Sequence, residues 1–379
     1  MHDRRRGEFG LESVLITGGA GFIGSHLADE LLANGYRVRV LDALVEQVHG
    51  DAERPDYLDP EVELQVGDVR DRAAVDRAIA DVDAVVHLAA RVGVGQSMYE
   101  IGEYCAANTA ATGTLLDALL GHPVEKLVVA SSMSVYGEGL YETHAGEHVV
   151  APERSRAQLE RGEWDPRAHD GGALTPVSTP ETKPPALSSV YALTKYDQER
   201  LCLLFGHAYN VPTVALRFFN VYGTRQALSN PYTGVLAIFA SRLLNDNAPL
   251  VYEDGEQRRD FVSVGDIARA CRLALERDGA DGRVLNIGSG RSVSVREIAA
   301  KLATQLDKRL EAEVTGKARV GDIRHCFADI SLARDLLGFE PQVELEDGLR
   351  ALAAWLETQV ATDRVDDASR ELATRGLTV

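Results

Sequence analysis

The chain has 379 residues, 45% hydrophobic and 26% charged, and its 58 acidic against 40 basic side chains give a formal charge of −18. That length can bury one large core or two unequal ones, and the composition is that of an ordinary globular protein. The negative balance argues against nucleic acid or an anionic membrane as a partner, though not against a small anion held by a few local arginines. Cys105, Cys202, Cys271 and Cys326 lie far apart and fit neither a zinc pattern nor a disulfide framework, so isolated buried thiols and no metal are expected. No apolar run approaches membrane-spanning length. Arg4-Arg5-Arg6 leads into an acidic residue and a core strand instead of an apolar export segment, and a cytoplasmic protein is expected.

From the amino end, residues 14–16 are a short aliphatic run that reads as a buried parallel strand. Gly18, Gly21 and Gly24 follow at even spacing. A helical pattern then places Ile23, Leu27, Leu31 and Leu32 on one face, with Asn34-Gly35 as its stop. Strand, glycine turn and helix together make a phosphate site. Gly18 allows the tight turn, Gly21 lets the backbone approach a pyrophosphate, and Gly24 lets helix and strand pack closely. A glycine triplet alone is weak evidence, but residues 38–41 form a second strand that ends in Asp42, about 20 residues further on. An acid there accepts both ribose hydroxyls and repels a 2′-phosphate; the plainer alternative is that it caps the strand. No arginine directly follows Asp42, and Arg39 falls inside the strand, so NAD is expected in preference to NADP.

A third strand over 63–66 ends in Gly67-Asp68-Val69. A helix over 72–80 and a strand over 84–88 follow, the latter finishing in Leu88-Ala89-Ala90. This alternation predicts an α/β fold, a Rossmann-type doubly wound parallel sheet with ligands at the carboxyl ends of its strands. Asp42, Asp68, Val69, Leu88, Ala89 and Ala90 then share one rim, where small residues leave room for a flat cofactor. A long helix over 102–120 leads to a strand over 126–130 and to Ser131-Ser132-Met133-Ser134-Val135-Tyr136-Gly137. Residues 138–188 are rich in proline, glycine and charge without periodicity, and read as a lid, an excursion over the active site or a partly disordered stretch. A helix over 190–209 and a strand over 213–217 resume the pattern. Beyond Gly223, helices near 234–244, 264–276, 295–306 and 346–359, with strands at 250–252 and 284–286, describe a smaller α/β carboxyl-terminal domain. The expected organisation is a cofactor domain over 12–222, carrying the 138–188 insertion and receiving returning segments from the carboxyl-terminal half. A second domain over 223–360 and a polar, fraying tail over 361–379 complete it.

Tyr191 and Lys195 are four apart on a helix and share a face. An ammonium beside a phenol stabilises the phenolate and lowers its pKa from about 10, which suits a general base near neutral pH. Alone, such a pair is usually a surface aromatic and a solvated lysine. Beside the glycine turn and a strand-end hydroxyl, it reads as acid–base machinery.

These motifs resemble the extended short-chain dehydrogenase/reductases, in their nucleotide-sugar epimerase/dehydratase branch, over residues 12–360. The resemblance is carried by Thr17-Gly18-Gly19-Ala20-Gly21-Phe22-Ile23-Gly24, Asp42, Gly67-Asp68, His87-Leu88-Ala89-Ala90, Ser131-Ser132, Val135-Tyr136-Gly137, Tyr191 with Lys195, Arg217-Phe218-Phe219-Asn220 and Arg259-Asp260-Phe261. It implies catalytic roles for Ser132, which would hydrogen-bond the reacting sugar hydroxyl, and Tyr191, which would take its proton. Lys195 would hold the nicotinamide ribose. Phe22, Ile23, Asn108 and Phe218 would lie with the glycines and the rim against the cofactor. Asn220, Arg259 and Arg319 would hold the substrate diphosphate, and Tyr252 would line the nucleobase pocket.

In this branch the catalytic hydroxyl stands three residues before the valine of Val135-Tyr136-Gly137, which selects Ser132 over Ser131 and Ser134. Dehydratases of the family carry acids in the two following positions; here Met133 and Ser134 stand there, and neither can protonate a leaving hydroxyl well. The resemblance therefore implies an NAD-dependent 4-epimerase working through a 4-keto sugar, with a 4-ketoreductase using NAD(P)H as the alternative. The segments around Gln47-Val48-His49-Gly50, Val94-Gly95-Gln96-Ser97-Met98-Tyr99, Ser229-Asn230-Pro231-Tyr232-Thr233-Gly234 and Gly321-Asp322-Ile323-Arg324-His325 are most similar to enzymes acting on dTDP-L-rhamnose, so a dTDP-sugar is favoured. That group also has the long insertion, often with a Cys-x-x-Cys pair absent here. Ala111, where the family has glycine, is expected to crowd a helix pairing. A homodimer through the helices holding Asn108 and Tyr191 is also implied.

Overall fold

The computed structural model describes residues 11–378 apart from 52 and 320, so Arg4 to Arg6 lie outside the described residues. Seven parallel strands form the central sheet: β1 (Ser13–Thr17), β2 (Arg37–Asp42), β3 (Glu63–Val66), β4 (Ala84–His87), β5 (Lys126–Ser132), β6 (Thr213–Phe218) and β7 (Val284–Ile287). Their spatial order is β7-β6-β5-β4-β1-β2-β3, a Rossmann-type doubly wound arrangement whose order reverses beside β1. The strands are aliphatic on both faces because both are covered. Val14 and Ile16 join one apolar cluster, while Leu15 joins the other on the opposite face. Cys202, Cys271 and Cys326 are buried free thiols as expected, whereas Cys105 is exposed.

Helix α1 (Phe22–Ala33) begins at the glycine turn and ends at Gly35, whose φ of +86° suits the helix stop. Helix α2 (Arg72–Ile79) starts at Asp71, whose carboxylate accepts from the Ala73 amide. The expected long helix before β5 occurs as Ile101–Tyr104, a π-helical stretch Cys105–Ala110 and α3 (Ala111–Leu119). Ala111 is fully packed beside Leu115 in the apolar cluster on that face. Helix α4 (Val190–Tyr209) starts at Ser189, which caps Ala192, and stops at Asn210 in the left-handed conformation.

The carboxyl-terminal half divides its helices between two tasks. Helix α5 (Val235–Leu244), helix α7 (Val295–Gln305) and helix α8 (Leu345–Leu356) build a separate apolar cluster, whereas α6 (Val264–Glu276) packs on α1. Arg272 ties α6 to Glu30 of α1 at 2.7 Å. The strand expected at 284–286 is β7, so this stretch belongs to the central sheet.

Residues 138–188, for which no periodicity was visible, contain a small antiparallel sheet of His148–Val150, Leu140–Glu142 and Thr175–Val177. A buried ion cluster fixes this insertion to the carboxyl-terminal half. Arg154 reaches Glu253 at 2.6 Å and the Asp322 carbonyl at 2.9 Å, while Arg324 binds Glu253 at 3.0 Å and Asp254 at 2.6 Å. Arg154 and Arg324 are almost fully buried, so each charge depends on these partners.

The polar tail expected over 361–379 is corrected by α9 (Val365–Thr374). Val365, Ala368 and Leu372 recur at helical spacing and are buried, and Asp366 with Asp363 binds Arg242 of α5 at 2.9 and 3.4 Å. The sparse apolar stripe is supplemented by these ion pairs, which tie the start of the helix to α5.

Candidate active site

At the end of β1 the chain turns through Gly18 at φ +69°, where a Cβ would stand 2.9 Å from the backbone of Ala89. At Gly24 a Cβ would stand 2.4 Å from the Gly18 carbonyl oxygen, so this close approach of helix and turn needs glycine. Gly21 is the N-cap residue of α1, in an extended conformation, with no side chain capping the helix and no acid in the first turn. The helix start that carries Phe22 and Ile23 thus presents its positive end to an anion, which fits the diphosphate of NAD.

Asp42 ends β2 and faces the turn: its Oδ2 accepts from the Ala20 amide at 3.0 Å and its Oδ1 from Leu44 at 2.9 Å. Arg39 points elsewhere, pairing with Glu63 at 2.9 Å and donating to the Ala78 carbonyl at 3.0 Å. Arg39, the guanidinium nearest in sequence to the acidic end of β2, is therefore not held for a 2′-phosphate. Further along the rim, Asp68 is bound by Arg70 at 2.7 Å; burial raises its pKa, but the Arg70 hydrogen bonds prevail and lower it. Val69 is buried, and the Leu88 and Ala89 amides donate to Thr17 O and Thr17 Oγ1 at 3.1 and 3.3 Å, drawing Leu88, Ala89 and Ala90 beside the glycine turn.

Asn108 sits in the π-helical stretch and is fully buried. Its Oδ1 accepts from the Arg91 amide at 2.7 Å, and its Nδ2 donates to Arg91 O at 3.1 Å and Thr194 Oγ1 at 3.0 Å. Both ends of the amide are occupied, so it positions the chain just after Ala90.

A buried polar ladder lies beneath this rim. Thr17 Oγ1 meets His87 Nδ1 at 2.7 Å, His87 Nε2 meets Thr112 Oγ1 at 2.9 Å, and Gln198 Nε2 donates to Thr112 and to the Ala89 carbonyl at 3.0 and 3.2 Å. Lys195 completes it, donating from Nζ to Gln198 Oε1 at 2.7 Å. Burial pushes the His87 pKa down to about 3, with Lys195 adding to the shift, and pushes Lys195 itself down to about 8. Gln198 and Thr112 were not singled out from the sequence; Gln198, one turn beyond Lys195 on the buried face, was the available signal.

Ser132 ends β5, paired in register with Phe218 of β6. Its Oγ accepts from the Ser134 hydroxyl at 2.9 Å and from the Ser134 amide at 3.2 Å. Ser131 faces the other way and donates to Glu199 at 2.7 Å, within the buried Glu199–Arg217 pair. Tyr191 lies in the first turn of α4; its amide donates to Ser97 Oγ at 3.0 Å, and its buried phenol is near enough to Ser132 for that hydroxyl to act on its titration. Burial raises the phenol's pKa and Ser132 only partly opposes it. The lowering expected from Lys195 does not enter here; its ammonium donates one N–H to Gln198, which leaves two for a ligand.

Next to this pair opens a cavity of about 280 Å³ lined by Met133, Ser134, Asn220, Tyr252, Arg259 and Arg319, among others. Asn220 Oδ1 is buried with no hydrogen-bond partner, an acceptor left for a ligand donor. Arg259 donates to the carbonyls of Arg258 and Arg324 at 2.9 and 3.0 Å and to that of Ile323, and among the described residues no carboxylate pairs with it. Burial lowers its pKa, nearby acids opposing, as befits a cation awaiting an anion. Arg319 pairs with Asp322 at 2.8 Å and lies over the Tyr252 ring at 4.5 Å. Among the described residues no group of three or more His, Cys, Asp or Glu side chains could hold a metal ion, and no helix is long and apolar enough to cross a membrane.

A Rossmann-type sheet with a glycine turn, a strand-end acid and a Ser–Tyr pair with a buried lysine one helical turn on defines an extended short-chain dehydrogenase/reductase. The chain matches the NAD dependent epimerase/dehydratase family over residues 14–157 and 168–288, and it belongs to that family. A dTDP-L-rhamnose 4-epimerase of Burkholderia thailandensis is 38% identical over 354 residues, covering 92% of this chain and 96% of that protein. The UDP-glucose 4-epimerase of Thermus thermophilus, solved in complex with NAD, superposes with a TM-score of 0.73 at 31% identity, covering 92% of this chain and all of that one. The UDP-N-acetylglucosamine 4-epimerase of Methanobrevibacter ruminantium gives 0.75 at 30% identity over 92% and 99% of the two chains. The protein is an NAD-dependent enzyme of the nucleotide-sugar epimerase class.

Proposed function

We propose that the protein inverts C4 of a dTDP-6-deoxyhexose, with dTDP-L-rhamnose as the favoured substrate. The observation that carries this reading is the position of the Ser132–Tyr191 pair beside a cavity that also holds Asn220, Arg259 and Arg319. Ser132 would orient the sugar hydroxyl, with Ser134 holding its Oγ, and Tyr191 would take and return the hydroxyl proton. The side-chain amide N–H of Asn220 and the two guanidinium groups would donate to the diphosphate, so the sugar ring pivots about a held anchor. NAD, when bound, supplies the reversible oxidation and reduction at the sugar carbon. Lys195, Tyr191 and Asp42 would hold its two riboses, and the start of α1 its diphosphate. Met133 lines the cavity beside Ser132, where elimination of water would need an acid, and this supports inversion over dehydration.

The exposed Leu193, Leu204 and Tyr209 on α4 support a homodimer through that helix; a monomer in sedimentation at micromolar concentration would count against it. The function is tested by denaturing the purified enzyme, identifying the released nucleotide by mass spectrometry, and following dTDP-L-rhamnose by NMR. Released NAD with a 4-epimer formed and no net change in reduced cofactor is the expected result. Turnover of a 4-keto sugar only with added NAD(P)H would identify a ketoreductase instead.

A further inference from the structure

Helix α9 forms one wall of the substrate cavity, through Val365, Ala368, Ser369 and Leu372. Two contacts locate that wall along the cavity. Leu372 packs on Gly95, where an added Cβ would stand 3.3 Å from its Cδ2. Gly95 belongs to the short helical turn Val94–Ser97, and Ser97 accepts the backbone N–H of Tyr191, so Leu372 stands on the side of the reacting pair. Ser369 meets the Tyr252 hydroxyl at 3.2 Å, on the side of the arginines.

The charges of the cavity sharpen the point. Arg259 and Arg319 are the cations among its described lining residues, and both sit by the residues that would hold the diphosphate. At the Leu372 end the described wall includes Leu372, Val94, Gly95, Met98 and Tyr232, whose hydroxyl accepts from Tyr99 at 2.6 Å, and none of these is charged. A carboxylate placed there would be buried without a cation to pair with, and a hydroxymethyl group would lose water for an apolar surface. We propose that Leu372 is a specificity-determining residue, forming the apolar wall beside the sugar and selecting a hexose with neither charge nor hydroxyl at C6. This rests on the nucleotide-sugar reading above.

The test measures binding calorimetrically for dTDP, dTDP-L-rhamnose and UDP-glucuronate, with steady-state kinetics, on the full chain and on Leu372→Ala, Leu372→Met and Leu372→Lys. Leu372→Ala should raise KM for dTDP-L-rhamnose about tenfold, with kcat within about twofold and free dTDP affinity unchanged. Leu372→Met, of similar volume, should retain the wild-type KM and so report that the wall still folds. Leu372→Lys should shift the preference about tenfold towards UDP-glucuronate. An unchanged KM in Leu372→Ala, an equal loss of affinity for free dTDP, or a wild-type enzyme that prefers UDP-glucuronate would each overturn the proposal and leave the nucleotide-sugar reading standing. A wild-type enzyme that binds none of the three ligands would overturn that reading and this inference with it.

Discussion

The two halves of the site are built by different means. The cofactor side is made of backbone: a positive-φ glycine, an uncapped helix start and amides that aim Asp42, all within about 30 residues of chain, the length of one strand–helix–strand unit. The substrate side is made of side chains from distant segments, with Asn220, Arg259, Arg319 and Leu372 meeting only after the sheet has closed. Backbone geometry serves a ligand that is common to a whole family, whereas long side chains can be exchanged to suit one sugar without disturbing the sheet.

The largest effect is expected where the halves meet. Tyr191→Phe removes the proton carrier and one ribose contact; kcat should fall about a thousandfold while most of the bound NAD and the circular dichroism are kept, because Lys195 and Asp42 still hold the riboses. Loss of NAD in that variant would mean that the halves are not separable. Gly24→Ala breaks the cofactor side alone, since the new Cβ would lie 2.4 Å from a backbone oxygen. Co-purified NAD should fall about a hundredfold, corresponding to roughly 2–3 kcal/mol of strain from overpacking. Arg259→Met breaks the substrate side alone: KM should rise about thirtyfold, about 2 kcal/mol for a lost charge-assisted contact, with NAD content untouched.

The last effect is read in stability and not in turnover, and it concerns the ladder beneath the rim. His87 is held neutral with a folded-state pKa of about 3 against the ordinary 6.5. Between those values the unfolded chain binds the extra proton, so stability falls as pH drops from 6.5 towards 3, by up to about 1.4 kcal/mol per pH unit. His87→Gln should flatten that part of the profile in denaturant titrations; an unchanged slope would assign it to another group.

The same contrast explains what could be read in advance. The β1–glycine–α1 unit, Asp42 and the Tyr191–Lys195 spacing are local patterns, each set by steric or helical periodicity over a few residues. The direction of Lys195 was not legible, because it depends on Gln198 finding Thr112 and Ala89 from another part of the chain. Helix α9 was hidden because three apolar positions in a stretch of acids, arginines and small residues give little periodic signal until Arg242 and Gly95 are brought against it. The insertion escaped for a related reason: Arg154 finds Glu253 at a separation of 99 residues, and nothing near Arg154 announces it.

The late arrival of β7 also bears on how the chain comes to be folded. Strand β6 pairs with β5, but its other edge waits until residues 284–287 emerge, and Arg154, paired with Glu138 at 3.4 Å in its own half, waits for the Glu253 carboxylate at 2.6 Å. During synthesis the nascent amino-terminal half therefore carries an open sheet edge, a feature that favours association with other chains over completion. Fragments that stop before Ile287 should then be insoluble even though they contain the entire glycine turn, and the whole chain should mature slowly, in the manner of folds dominated by distant contacts.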